Sequence, residues 1–167
     1  MCVILGSINE RIIAMYASFE DHRGDEEMFF SMMKVLRESS ILEASYWSGL
    51  HGGNNGGIVV TKNKAIYIYE RYGLFPNGAD SSDYTFIKRK KGLTEEEFNK
   101  ITDFIKTNLI DKEYADAMTR DAGHVLIVDY DGIHKKINCD FSEGNIFDVT
   151  RELVRKLAEP TVRDDKK

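Results

Sequence analysis

The stretch Gly56 to Tyr72, GGIVVTKNKAIYIYERY, decides the fold. It is the densest run of strand-forming residues in the chain, and it folds back on itself at Asn63-Lys64. Ile58, Val59, Val60 and Thr61 favour the pleated conformation because branched side chains pack well on it. Ala65 to Tyr69 continues the pattern, with Ile66 and Ile68 alternating with Tyr67 and Tyr69. A two-residue turn at Asn63-Lys64 sets Val59 opposite Ile68 and Val60 opposite Tyr67. Val59, Thr61, Ile66 and Ile68 then share one face, and Ile58, Val60, Tyr67 and Tyr69 the other. Lys64 is a poor second residue for that turn. A three-residue loop with a bulge is therefore also open, and it swaps the faces of one strand. Either way both faces are apolar, which predicts a hairpin inside a sheet or covered on both sides.

Outward from the hairpin, the chain reads as one α+β domain over residues 1–167. A helical segment occupies 1–40 and a frayed charged tail 160–167. Its 167 residues suffice for a proper core. Ser7-Ile8-Asn9-Glu10 has the pattern of a reciprocal helix cap, followed by Ile8, Ile12, Met15, Tyr16 and Phe19 at helical spacing. Asp25 can cap a second helix, with Phe29, Met32, Val35 and Leu36 inward. Its run of methionines reads as adaptable core filling. Ile41 to Leu50 is ambiguous between a strand and a helical turn. His51 to Gly57, HGGNNGG, reads as a loop, and Gly73 to Asp83 as a long turn. Tyr84 to Lys90 alternates as a strand. Thr94-Glu95-Glu96-Glu97 repeats the reciprocal cap with acids where the helix dipole favours them, ahead of Phe98, Ile101, Ile105 and Leu109. Asp111 to Thr119 is read as a further short helix. His124 to Tyr130 and Ile133 to Cys139 flank Asp131-Gly132, a strong hairpin signal. Asn145 caps a last helix with Ile146, Val149, Leu153 and Leu157 inward, and Pro160 stops it. The expected architecture is an antiparallel sheet of about five strands with helices packed on one face.

Composition bounds the chemistry. A net charge of −5 disfavours general affinity for phosphate backbones and suits a basic partner. Two cysteines, Cys2 and Cys139, do not make a disulfide scaffold and fit a reducing cytoplasm. No stretch has the length of a membrane span, and the apolar start ends at Glu10-Arg11, too soon for a secretion signal.

The glycine-rich run at Gly52 to Gly57 lacks the lysine and hydroxyl residue of a phosphate loop, and a strand follows it instead of a helix. It reads instead as a pliant lead-in to the hairpin, or as a contact loop presenting Trp47, His51 and Asn54. His22, His51, His124 and His134 have no zinc spacing. The Asp131-Gly132 register sets His124 across from Cys139, and His134 across from Asp129. Cys139 near Asp140 is placed to have a raised pKa, against a nucleophilic role. No cofactor or metal is expected. The basic run Lys88 to Lys91 reads as solvated surface, lacking the interleaved aromatics of a nucleic-acid groove. The acids from Glu20 to Glu27 are either solvated as well or a patch that steers a basic protein.

The glycine-rich lead-in to Ile58-Val59-Val60, the Tyr67-x-Tyr69 strand, Asp121-Ala122-Gly123 before a strand, Tyr130-Asp131-Gly132 and a closing helix together form a recognisable layout. Over Gly52 to Leu157 it resembles small bacterial immunity proteins, nearest in character to those of contact-dependent growth inhibition. This is a likeness of architecture and carries over no residue role. It implies a non-enzymatic cytoplasmic inhibitor that neutralises a nuclease-type toxin domain. The contact residues expected are Asp21, Asp25, Glu26, Trp47, His51, Asn54 and Tyr72, since aromatic anchors within a charged rim dominate such interfaces. The rival readings are a small hydrolase or transferase using Cys139 with a histidine, and a phage-encoded blocker of a host defence protein. Strand pairing at an exposed sheet edge leaves the oligomeric state open.

Overall fold

The computed structural model describes residues 26–48, 54–72, 84–117 and 122–159. The cap at Ser7, the loop with Asp21 and Asp25, His22, His51, the turn at 73–83, Asp121 and the tail from Pro160 lie outside them. The elements are α1 (Glu26–Glu38), β1 (Ser40–Ser48), β2 (Asn54–Thr61), β3 (Ala65–Tyr72), β4 (Tyr84–Gly92), α2 (Glu95–Phe104), a π-helical turn (Ile105–Ile110), β5 (Ala122–Tyr130), β6 (Ile133–Cys139) and α3 (Ile146–Ala158). The six strands form one antiparallel sheet in the order β4-β3-β2-β1-β5-β6. The α+β class and antiparallel sheet are as the sequence predicts. The sixth strand is β1, the ambiguous stretch, which sits between β2 and β5.

The central hairpin takes the three-residue loop. Val60 pairs with Ile66, Val59 with Tyr67 and Ile58 with Ile68. The Lys64 N–H donates to the Thr61 carbonyl at 2.9 Å, and Lys64 itself adopts a positive φ of 58°. This choice has a physical reason: a two-residue turn of the type matching strand twist needs two residues at positive φ, and the three-residue loop needs one. With no glycine available, one left-handed residue costs less than two. Lys64 is also held in place by an ion pair with Glu95 and by its ammonium lying 5.7 Å from the centre of the Phe98 ring.

That register sorts the side chains into two cores. On one face Leu42, Ala44, Ile58, Val60, Ile66, Leu126, Val128 and Ile137 pack against Ile101, Ile105 and Leu109 of the α2 segment and Phe147 and Val154 of α3. On the other, Val59, Tyr67, Tyr69 and Ile87 receive Phe29, Met32, Met33 and Leu36 of α1. The helices therefore divide between the two faces instead of sharing one, and the hairpin is covered on both sides. Full burial of side chains this size contributes roughly 1.5–3 kcal/mol each.

The helix ends follow their capping residues. Thr94 accepts from the Glu97 N–H while the Glu97 carboxylate accepts from the Thr94 N–H, completing the reciprocal cap. The Glu97 carboxylate also pairs with Lys91 at 2.5 Å, which ties the edge strand β4 to α2 and holds the carboxyl below its ordinary range. Asn145 accepts from the Asp148 N–H at 2.9 Å. Residues 111–117 are not helical. The turn before them is π-helical, and side chains satisfy carbonyls at and just past its end: the Tyr114 hydroxyl donates to Asn108, and the Lys135 ammonium to Ile110 and Lys112. No helix among the described residues is long and apolar enough to cross a membrane.

The β5–β6 turn places Asp131 at φ 54° and Gly132 at φ 75°, with open space where a Gly132 Cβ would stand. A Gly132→Ala substitution therefore isolates the backbone penalty. It is expected to cost about 1 kcal/mol in urea denaturation without altering the denaturant slope.

Candidate functional site

The α1 face of the sheet is organised by a buried carboxylate. Glu43 lies in the middle of β1 and is 1% exposed. The Arg37 Nε and Nη2 groups, on the last turn of α1, each donate to a Glu43 oxygen at 2.9 Å. The Tyr69 hydroxyl donates to Glu43 Oε1 at 2.6 Å. The Arg37 guanidinium also lies 5.9 Å from the centre of the Tyr69 ring. These bonds satisfy the carboxylate and fix the guanidinium from one side. The hydrogen bond to Glu43 raises the Arg37 pKa above its already high value, and burial beside Glu43 pushes the Tyr69 phenol up, so both stay protonated.

Beside this cluster runs a groove of about 210 Å³ with Phe30, Met33, Arg37, Trp47, Asn55 and Tyr69 on its walls. Phe30 is 53% exposed, and the Arg71 guanidinium lies 5.4 Å from its ring centre. Trp47 is half-buried because β5 offers glycine at the paired position: a Cβ on Gly123 would come within 2.3 Å of the indole Nε1. The same device recurs twice. Gly56 pairs with Tyr46 and Gly57 with Tyr69, and a Cβ at either would meet the tyrosine at 2.7 Å and 2.9 Å respectively. A tyrosine or tryptophan over a cross-strand glycine restores the packing that the glycine omits. The glycine-rich run is thus in part strand: Asn54 to Gly57 belong to β2, a correction to the loop reading, with the glycines needed for space beneath rings.

The expected contact residues fall as follows. Trp47 pairs with Asn55, Asn54 with Ser48, and Tyr72 with Tyr84, so these three positions gather at one end of the sheet. Glu26 opens α1 about one turn before Phe30, which reaches the same end through Arg71. Asp21, Asp25 and His51 lie outside the described residues. Sequence reasoning missed Phe30, Met33, Arg37 and Tyr69 as groove walls, and Glu43 as the anchor behind them. The available signal was the adjacent pair Phe29-Phe30, since a helix buries only one of two neighbours on a narrow stripe.

On the opposite face, His124 pairs with Cys139, while His134 pairs with Asp129 on the α1 side of the sheet, the registers expected from Asp131-Gly132. The His124 ring stacks on Phe147, centroids 4.2 Å apart and planes 11° apart, and packs against Phe141 at 4.6 Å. Cys139 is buried, and burial followed by the Asp140 charge raises its thiol to about 11. It is protonated at neutral pH and poorly suited to attack. Among the described residues no cluster of three or more histidine, cysteine, aspartate or glutamate side chains could hold a metal ion.

Comparison of the chain with protein-family models, curated proteins and solved structures returns no match.

Removing Arg37 leaves a carboxylate buried and short of its main partner. Arg37→Met should therefore cost about 3 kcal/mol in urea denaturation, and the double variant Arg37→Met/Glu43→Met should recover most of it. A pH effect is expected at His124. Burial is the main cause that lowers its pKa, and Arg151 adds to this while Asp148 opposes it, so the native state favours the neutral ring. Its stabilising contribution is complete above the unfolded-state value, about 6.5, and fades as pH falls through that value towards the lower native one. Urea midpoints at about pH 7.5 and about pH 5.5 should differ less in His124→Phe than in the parent protein.

Proposed function

We propose that the protein is a non-enzymatic inhibitor that binds another protein and covers its active site, in the manner of the cytoplasmic immunity proteins its layout resembles. The partner in this reading is a nuclease-type toxin domain. The observation that carries it is the groove at one end of the sheet. Its walls combine tryptophan, tyrosine, phenylalanine, methionine and arginine, the residues enriched where protein interfaces gain their energy. Exposed Phe30 beside half-buried Trp47 is a surface that gains by being covered. The net charge of −5 supports a basic partner, because long-range attraction speeds encounter with a protein whose own site must attract phosphate. The raised Cys139 thiol weighs against the rival hydrolase or transferase reading.

The test is to express the nuclease-type domain that this reading places in a neighbouring gene, add the purified protein and follow DNA or RNA cleavage. Stoichiometric loss of cleavage, with association slowed by added salt, is the expected result. Cleavage that continues unchanged in the presence of excess protein would count against the reading. The chain has one tryptophan, so Trp47 emission reports the groove directly and should change on binding.

A further inference from the structure

The groove has a sign and a shape that specify what enters it. Arg37 carries five N–H donors, and Glu43 takes only Nε and one donor of Nη2. The Glu43 side chain is 2% exposed and its oxygens already accept from Arg37 and Tyr69, whereas the Arg37 side chain is 52% exposed. The pair is neutral in sum, yet it presents its positive end to the groove and hides its negative end beneath the sheet surface. Among the described residues no acidic side chain lines the groove. The guanidinium is held by two hydrogen bonds on one side and the Tyr69 ring on another, so binding an anion costs it little further freedom. Next to it, Phe30, Met33 and Trp47 offer apolar wall around a space on the scale of one large side chain.

We infer that the groove seats a partner segment in which an aromatic side chain stands beside a carboxylate: the ring enters between Phe30 and Trp47, and the carboxylate bonds the outward donors of Arg37. This inference rests on the reading that the protein acts by binding another protein, and it names the local chemistry of that contact. A partner that is basic overall supplies the long-range attraction, and this acidic–aromatic element supplies the register.

The probe is a blocked hexapeptide with a central Phe-Asp pair, compared with Phe-Asn and Ala-Asp counterparts by titrating Trp47 emission. Saturable change with Phe-Asp is expected, with the other two about tenfold weaker. In Arg37→Lys, which keeps a cation for Glu43 but loses the planar fork, the preference for Asp over Asn should collapse while thermal unfolding stays cooperative. Trp47→Phe, followed by isothermal titration, should retain the Asp preference. Equal affinity for Phe-Asp and Phe-Asn in the parent protein, or no saturable change up to the solubility limit, would overturn the inference. The peptide also competes against the nuclease domain. Relief of inhibition by Phe-Asp alone supports the assignment. A nuclease that stays inhibited while the peptide does not bind removes the groove and spares the inhibitor reading. A nuclease never inhibited while the peptide binds does the reverse.

Discussion

A single buried carboxylate constrains this structure more than any other group. Glu43 sits in an inner strand of the sheet, where an unpaired charge would cost several kcal/mol. It is tolerated because α1 ends with Arg37 directly over it and β3 sends up Tyr69. The requirement runs both ways. α1 connects to β1 through Ser39 alone, so the helix must fold back along the sheet, and the ion pair fixes where its last turn lands. The Ser39 hydroxyl tightens that corner by donating to the Leu36 carbonyl at 2.9 Å. Phe29, Met32, Met33 and Leu36 then reach the sheet, and Phe30, next along the helix, is left beside the groove. The charge that looks least welcome in the core thereby positions the surface proposed to meet a partner.

Local chemistry made much of the architecture legible. Thr94 with Glu97, Asn145, and Asp131-Gly132 each act within a few residues, and each produced the element it signals. The pairing of His124 with Cys139 followed from the turn alone. What stayed hidden depended on partners distant in the chain. β1 looked ambiguous because Glu43 interrupts its apolar run, and only Arg37 and Tyr69 together make that residue acceptable inside a strand. Which residues of β2 and β3 share a face depended on whether Lys64 took the left-handed position, a choice of about 1–2 kcal/mol that composition does not resolve. The short helix expected from Asp111 fails for a similar reason: the Ile110 and Lys112 carbonyls accept from Lys135, which lies on another hairpin.

The groove was half legible. Trp47 stood out as the sole tryptophan, and Asn54 and Tyr72 share its end of the sheet. Its walls were not visible, because they come from a helix face and from Tyr69, whose neighbours depend on the turn length that the sequence leaves open. The three glycines beneath rings explain a compositional oddity. Gly56, Gly57 and Gly123 look like loop residues, yet each is the partner position of a tyrosine or tryptophan too large to lie flat over a side chain. A strand can carry glycine without loss when its neighbour supplies the missing apolar cover.

The strand order has a kinetic corollary. β1, β2, β3 and β4 are neighbours in sequence and can zip as a meander, and β5 with β6 closes on a two-residue turn. The two pieces join only where Leu42 to Ser48 meets Ala122 to Val128, across most of the described chain. Closing so long a loop is slow relative to local pairing. Until that happens the outer side of β1 is an unsatisfied template. A nascent or heated molecule is therefore most exposed to mispairing at the strand that ends up innermost, and chaperone demand should concentrate there.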